Sequence, residues 1–369
     1  MFLPYFQTSA DNAIGFLFNI LWVVFVMAFL FYGNRLQIYL SLRRVGKDLR
    51  SLQRMSGETE QKIVAELSKY GSEPAVVKQE VGRLLGSIMI EPVSMDPSGV
   101  VFKLDHVIKT YEAYFKSKVA RVTPGAEKVV RQNLSNLVEV GMALDFLFRY
   151  VRHLYTSAKK YNDLFAVVQL QMLMPTLMDT AGAYFSASDA FTAGQPIGDS
   201  LGPMVASKLM QGAKAEPVAE ETVYAEVTYE GRKLLVVRAE GPGGTVGRPG
   251  EAVEKLLDMH PDAELVVTVD AALKLEGEES GEVAEGVGAA IGGPGVDRYR
   301  IEGAATKRNV PMYAIVVKMS EKEAITKLKD ELQAKVDDVL RRFKRLIEEK
   351  TKPDAIVLFA GIGNTIGVS

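Results

Sequence analysis

Residues 12–34 run for 23 positions without one acidic or basic side chain. At about 1.5 Å per helical residue the stretch reaches roughly 34 Å, enough to cross a bilayer core of about 30 Å. From Ile14 to Tyr32 it is apolar on every face, where a surface helix of a soluble protein would keep a polar stripe. The chain is therefore expected to carry residues 1–12 outside the cell, a transmembrane helix at 13–34, and everything else as a tethered body. Arg35, Arg43, Arg44, Lys47, Arg50 and Arg54 follow the run, and no Lys or Arg precedes it. The positive-inside rule then expects a single-pass protein of the cell membrane, N-terminus out and bulk cytoplasmic. A cleaved signal peptide needs a basic start, a shorter apolar core and a small-residue cleavage site, and the segment has none of these.

The roughly 335 residues behind the anchor exceed one typical core and point to two domains. A net charge of −2 offers no global basic field, so nucleic acid is not an expected partner. The absence of cysteine removes disulfides, thiolate nucleophiles and sulfur-ligated zinc together. Few Asn and Gln beside many Glu, Lys and Arg lean towards a thermophilic source.

Residues 35–55 read as a helical stalk. Ile38, Leu42, Val45, Leu49 and Leu52 alternate steps of four and three, a short heptad seam. Such a seam either joins copies of the chain or packs on the chain's own helices. Residues 56–210 read as an all-α domain, with Ser56 capping a helix start and Pro74, Pro92, Pro97 and Pro124 marking breaks. Within it, 164–177 is apolar but too short to span, and is expected to be the domain's central helix, with a re-entrant or membrane-surface segment as the alternative. Residues 211–222 read as a linker. Beyond them strands are expected at 223–229 and 233–239, joined as a hairpin through Glu230-Gly231-Arg232, and at 265–269, 312–317 and 355–359. Helices are expected at 251–259, 297–307 and 321–350. The alternation argues for a three-layer α/β domain over 223–369 with a largely parallel sheet.

Three segments of that domain share the spelling G-x-G-x-x-[VI]-G: Gly241 to Gly247, Gly286 to Gly292, and Gly361 to Gly367. Parallel strands gather their carboxyl ends on one rim, and glycines there let main-chain N–H groups approach an anion. The spacing matches neither the dinucleotide fingerprint nor the P-loop. The same glycines also serve tight turns that need no ligand. The expected contacts to a nucleotide or other phosphorylated ligand are Gly241, Gly243, Gly244, Thr245, Arg248, Gly286, Gly288, Gly292, Arg298, Gly361, Gly363, Asn364 and Thr365. Asp270, Glu276 and Glu278 offer hard oxygen ligands to Mg²⁺ accompanying a phosphate. His106, His153 and His260 are scattered and read as structural.

Gly198-Asp199-Ser200-Leu201-Gly202 spells a G-x-S-x-G elbow and the opening of the Gly-Asp-Ser-Leu hydrolases. An elbow sits between a strand and a helix, whereas this segment follows helices, and no later histidine has the hydrolase spacing.

The run from Gly194 to Pro203, the segment from Leu275 through the glycine-rich 286–295 into Val296-Asp297-Arg298-Tyr299, and the closing 361–367 are distinctive. On these residues the chain resembles an archaeal family of single-anchor membrane proteins about this long, catalogued as a domain of unknown function. The resemblance implies an archaeal source and carries across no activity, cofactor or site residue. Three functions stay open: binding of an anionic small ligand, with or without catalysis; an oligomeric membrane-associated scaffold; and a regulatory subunit of a channel or transporter. A homo-oligomer is expected, and a strict monomer would remove the scaffold reading.

Overall fold

The computed structural model describes residues 9–92 and 99–369, with side chains from Gly15 onward except at 28, 30–32 and 34. Residues 1–8 of the expected outer segment and the break at Pro97 lie outside the described residues. The chain divides into two compact units. One comprises the described residues up to Arg54 with Leu147–Met178; the other comprises Met55–Phe146 with Asp179–Ser369.

Helix α1 (Ser9–Ser68) is 60 residues long and joins without a break what the sequence divides into membrane helix, stalk and first helix of the middle domain. Ser56 and Gly57 do not interrupt it, because Met55, Thr59, Ile63 and Leu67 carry one buried stripe across them at four-residue steps. Four helices follow: α2 (Pro74–Leu85), α3 (Val100–Val122), α4 (Lys128–Tyr161) and α5 (Leu164–Ala193).

In the first unit, Ile38 and Leu42 of α1 cluster with Ala158 of α4 and Val167 of α5. The heptad seam thus packs on the chain's own helices. Phe16, Leu17, Phe18, Leu21, Trp22, Phe25 and Phe29 are each more than half exposed. The apolar segment at 164–177 is not an enclosed central helix: Val167, Leu170 and Met174 are buried, while Phe165, Met172 and Leu173 face outward. Nor does it stop at 177, since α5 continues through Pro175 to Ala193. Among the described residues α5 is the one helix long and apolar enough to cross a membrane, and the apolar run Gly15–Met27 is shorter.

In the second unit, Glu80 of α2 is buried beside Lys118 at 3.2 Å, Arg83 at 3.4 Å, and Arg121. Burial opposes its ionisation, but the Lys118 hydrogen bond and the charges of Arg121, Lys118 and Arg83 outweigh it and hold the carboxyl below the usual range. Glu80→Gln is expected to cost about 1–3 kcal/mol in denaturant unfolding at pH 7. A depressed folded pKa contributes stability only above it, so the deficit should shrink as pH falls through the carboxylate range. Equal stability at pH 7 would show the ion pairs to be idle.

The α/β portion begins earlier than the sequence suggests. After a 3-10 turn at Gly198–Ser200, α6 (Leu201–Leu209) lays Leu201, Val205 and Ala206 on the sheet. Gly202 is required there, because any side chain would strike the carbonyls of Ile362 and Val269. The expected linker contains a strand, β1 (Glu216–Ala219). Then come β2 (Thr222–Tyr229), β3 (Arg232–Ala239), α7 (Pro249–Met259), β4 (Ala263–Leu273), β5 (Val283–Val287), α8 (Val296–Lys307) and β6 (Met312–Met319). The expected helix at 321–350 is three pieces, α9 (Glu321–Ile325), α10 (Asp330–Gln333) and α11 (Lys335–Lys350), before β7 (Ile356–Gly361).

The sheet order is β1-β2-β3-β7-β4-β6-β5. It is mixed, not largely parallel. The Val/Ile-rich strands β3, β7, β4 and β6 form the parallel centre, while β1, β2 and β5 pair antiparallel at the edges. Helices α7 and α8 cover one face and α6 and α11 the other, giving three layers. The chain leaves β3 through α7 to reach β4, and later returns from β6 through α11 to insert β7 between them. Because the two crossovers lie on opposite faces, a crevice opens outside the carboxyl ends of β7 and β4.

Candidate functional site

Two of the three glycine segments meet at that crevice. Thr365 donates its N–H to the Thr245 carbonyl at 2.9 Å, and Gly367 donates to Pro242 at 2.9 Å. The Thr365 hydroxyl reaches the Gly243 carbonyl at 2.8 Å. Helix α4 closes over them: Asn133 accepts the Gly244 N–H at 2.8 Å, and Asn136 donates to the Gly244 carbonyl at 2.7 Å and accepts from Asn364 at 3.3 Å. Gly241, Gly243, Gly244, Thr245, Gly361, Gly363, Asn364 and Thr365 are therefore brought together.

The second segment splits. Gly286 lies on the edge strand β5, exposed, and Gly288 donates its N–H to the Met312 carbonyl at 2.9 Å. Only the tail returns to the rim, where Ala290 donates to the Thr268 hydroxyl at 2.8 Å and Gly292 to Asp270 at 3.0 Å.

Two N–H groups of these segments, those of Gly292 and Asn364, do meet carboxylates, but the carboxylates are the chain's own. Asp270 on β4 accepts from Ala271 at 2.8 Å and from Gly292. Asp199, from the 3-10 turn, accepts the Asn364 N–H at 2.8 Å. Asp297, opening α8, accepts the Gly250 N–H at 2.9 Å. Gly363 adopts φ +129° so that the third segment can pass the Asp199 backbone, where a side chain would collide with its carbonyl.

Asp199 and Asp270 line one cavity of about 280 Å³, with Ile108, Val246, Ile291 and Ile362 among its apolar walls. Burial, then the charge of Asp199, pushes the Asp270 carboxyl up to about 8. Burial likewise raises Asp199, against the pull of the Asn364 N–H. The cations of this cavity are engaged by other acids, two of which also line it: Arg248 pairs with Glu112, and Arg300 pairs with Asp105 at 2.8 Å and with Glu254 at 2.8 Å. Burial thus favours the protonated form of Asp270, which can donate to a bound oxygen or nitrogen, while Asp199, partly exposed at the cavity, can accept.

The Arg248–Glu112 pair also borders a second cavity of about 610 Å³, between α3, α4 and the first and third glycine segments. Its charges are balanced, with Lys116, Lys128 and Arg131 facing Glu139, Glu220 and Glu221. Glu139 stands open to this cavity yet deep in the protein, and the low-polarity surround, helped by Glu112, pushes its carboxyl up to about 7.

Several expected residues lie elsewhere. Arg298 is exposed on α8 and donates to Glu302 at 2.8 Å, one helical turn away. Glu278 pairs with Lys318 at 2.5 Å and caps the Leu275 N–H at 2.7 Å, while Glu276 is exposed. Neither joins Asp270 at an Mg²⁺ site, and among the described residues no three His, Asp or Glu side chains gather as metal ligands. Ser200 is fully buried with its hydroxyl on the Ile197 N–H, so it is no nucleophile. The sequence expectation missed Asp199, Asp297, Glu112 and Glu139. The first two had a visible signal, an aspartate beside a glycine or helix start in a distinctive segment; the last two lie on helical faces that show none.

Residues 19–194 match the N-terminal domain, and residues 197–369 the C-terminal domain, of a protein family of unknown function, DUF1512, and the chain belongs to that family. The boundary between the two matches falls just before the turn that carries Asp199, in line with α6 belonging to the sheet. No curated protein matches the sequence.

Proposed function

We propose that the chain is a membrane-anchored cytoplasmic protein whose α/β domain binds a small polar ligand of the nucleotide or phosphorylated-metabolite class at the crevice outside β7 and β4. The observation that carries this is the Asp199–Asp270 pair: among the described residues neither carboxyl has a cationic partner, whereas Glu112, Asp105 and Glu251, which line the same cavity at the switch point, are paired with Arg248, Arg300 and Lys109. An acid kept for the fold is normally paired, and unpaired buried acids in a cleft are costly features retained for a ligand. The main-chain amides expected to hold a phosphate are occupied by the chain's own oxygens. The phosphate is therefore assigned to the larger cavity, beside Lys116, Lys128 and Arg131, and the donor-bearing end of the ligand to the two aspartates. The exposed apolar side chains of α1, from Phe16 through Trp22 and Phe25 to Phe29, support the anchor, since water tolerates no such stretch on a folded monomer.

Differential scanning fluorimetry of the detergent-solubilised full chain, against nucleotides and sugar phosphates, tests the proposal. At least one compound should raise the melting temperature, and Arg131→Gln with Lys128→Gln should weaken that response at least about ten-fold in concentration. No response to any phosphorylated compound, or an unchanged response in the double variant, would refute the assignment.

A further inference from the structure

We propose that the turn between α4 and α5, with the α1 surface beside it, seats on an anionic phospholipid leaflet; this rests on reading the apolar run of α1 as a bilayer anchor. Within the first unit, Ala158 and Val167 share one cluster with Ile38 and Leu42. The turn at Asn162 and Asp163 is about one helical turn from both Ala158 and Val167. It therefore lies level with α1 just past the apolar run, where an anchored helix leaves the bilayer.

The turn is tipped with aromatics that the fold does not use. Tyr161 is 70% and Phe165 71% exposed, and Tyr39 on the neighbouring α1 surface is 64% exposed. Aromatic rings concentrate at the headgroup level of membranes. Basic residues surround them: Lys159, Lys160, Arg35, Arg43 and Arg44 are all exposed, and the Lys160 ammonium lies 5.2 Å from the Tyr161 ring centre. The local acid, Asp163, is spent on capping α5, accepting the N–H groups of Phe165 at 2.9 Å and Ala166 at 3.1 Å. A second copy of the chain would bring a like-charged face to this one, whereas an anionic leaflet attracts it, by about five-fold per basic residue.

The chain contains one tryptophan, Trp22, which makes the test direct. The full chain with Phe165→Trp in a Trp22→Phe background is placed in nanodiscs containing brominated phosphatidylglycerol, and the unaltered chain is measured in parallel. The indole at position 165 should be quenched at least about two-fold, and Lys159→Gln with Lys160→Gln, or zwitterionic lipid alone, should largely remove the effect. Quenching of Trp22 without quenching at 165 would overturn the leaflet contact and leave the anchor standing. Unquenched Trp22 would remove the anchor and this proposal with it. Equal quenching at 165 in zwitterionic lipid would overturn the requirement for anionic headgroups.

Discussion

Ending the chain at Ala360 is expected to abolish the cooperative unfolding of the second unit. The nine residues removed include Ile362, Ile366 and Val368, each at most 6% exposed, and Thr365, which is fully buried. Burying an Ile or Val side chain contributes roughly 1.5–3 kcal/mol, so three of them approach the 5–15 kcal/mol that holds a typical domain. The Thr365 hydroxyl also faces three carbonyls, those of Glu240, Gly243 and Thr245, at 2.8–3.1 Å, so its loss leaves the first glycine segment without its main anchor. The cluster around Ile38 and Val167 contains none of the deleted residues, and membrane insertion should survive. Circular dichroism melts with limited proteolysis would check this. A truncated chain that keeps its transition would show that the two segments do not depend on each other.

Asp270→Asn is expected to act in the opposite direction and stabilise the protein. Asp270 is 5% exposed, and its carboxyl is raised from 3.8 to about 8. The folded chain therefore keeps the proton over a range in which the unfolded chain has released it, and stability falls as pH rises from about 4 to about 8. At about 1.4 kcal/mol per pH unit the penalty has a ceiling near 5 kcal/mol at pH 8. Asn escapes it but offers one oxygen where Ala271 and Gly292 need two, which returns about 1–1.5 kcal/mol. A net gain of roughly 2–4 kcal/mol at pH 8, crossing zero at about pH 5 and becoming a loss of about 1 kcal/mol at about pH 4, should appear in denaturant unfolding at stepped pH. Destabilisation at pH 8 would mean that the ionised Asp270 has a partner the fold requires.

The parallel centre of the sheet was legible because strands buried on both faces must be apolar throughout, and β3, β4, β6 and β7 are written that way. The antiparallel edges were not. β5 (Val283–Val287) contains Glu285 and Gly286 and has one neighbour, so little apolar burial marks it, and its glycine read as part of a ligand loop. β1 carries Glu216 and Pro217, the composition of a linker, and becomes a strand by pairing with β2. The meeting of residues 241–247 with 361–367 followed from topology, since both leave adjacent parallel strands at their carboxyl ends. The Asn364 amide turns inward to Asp199, which arrives from residues placed before the first strand, a long-range contact that no local spacing encodes. Helix α1 hid its continuity for a local reason: Ser56 and Gly57 look like a start signal, and the buried residues that override them lie on both sides.

The response of the full-length Asp199→Asn/Asp270→Asn protein to the ligand found by fluorimetry, measured beside its ligand-free stability, separates a binding pair from a folding pair. The free variant should melt higher than the native chain at pH 8 while its ligand-induced shift is lost. A variant that melts lower, or one that keeps the full shift, would contradict the assignment of these aspartates to the ligand.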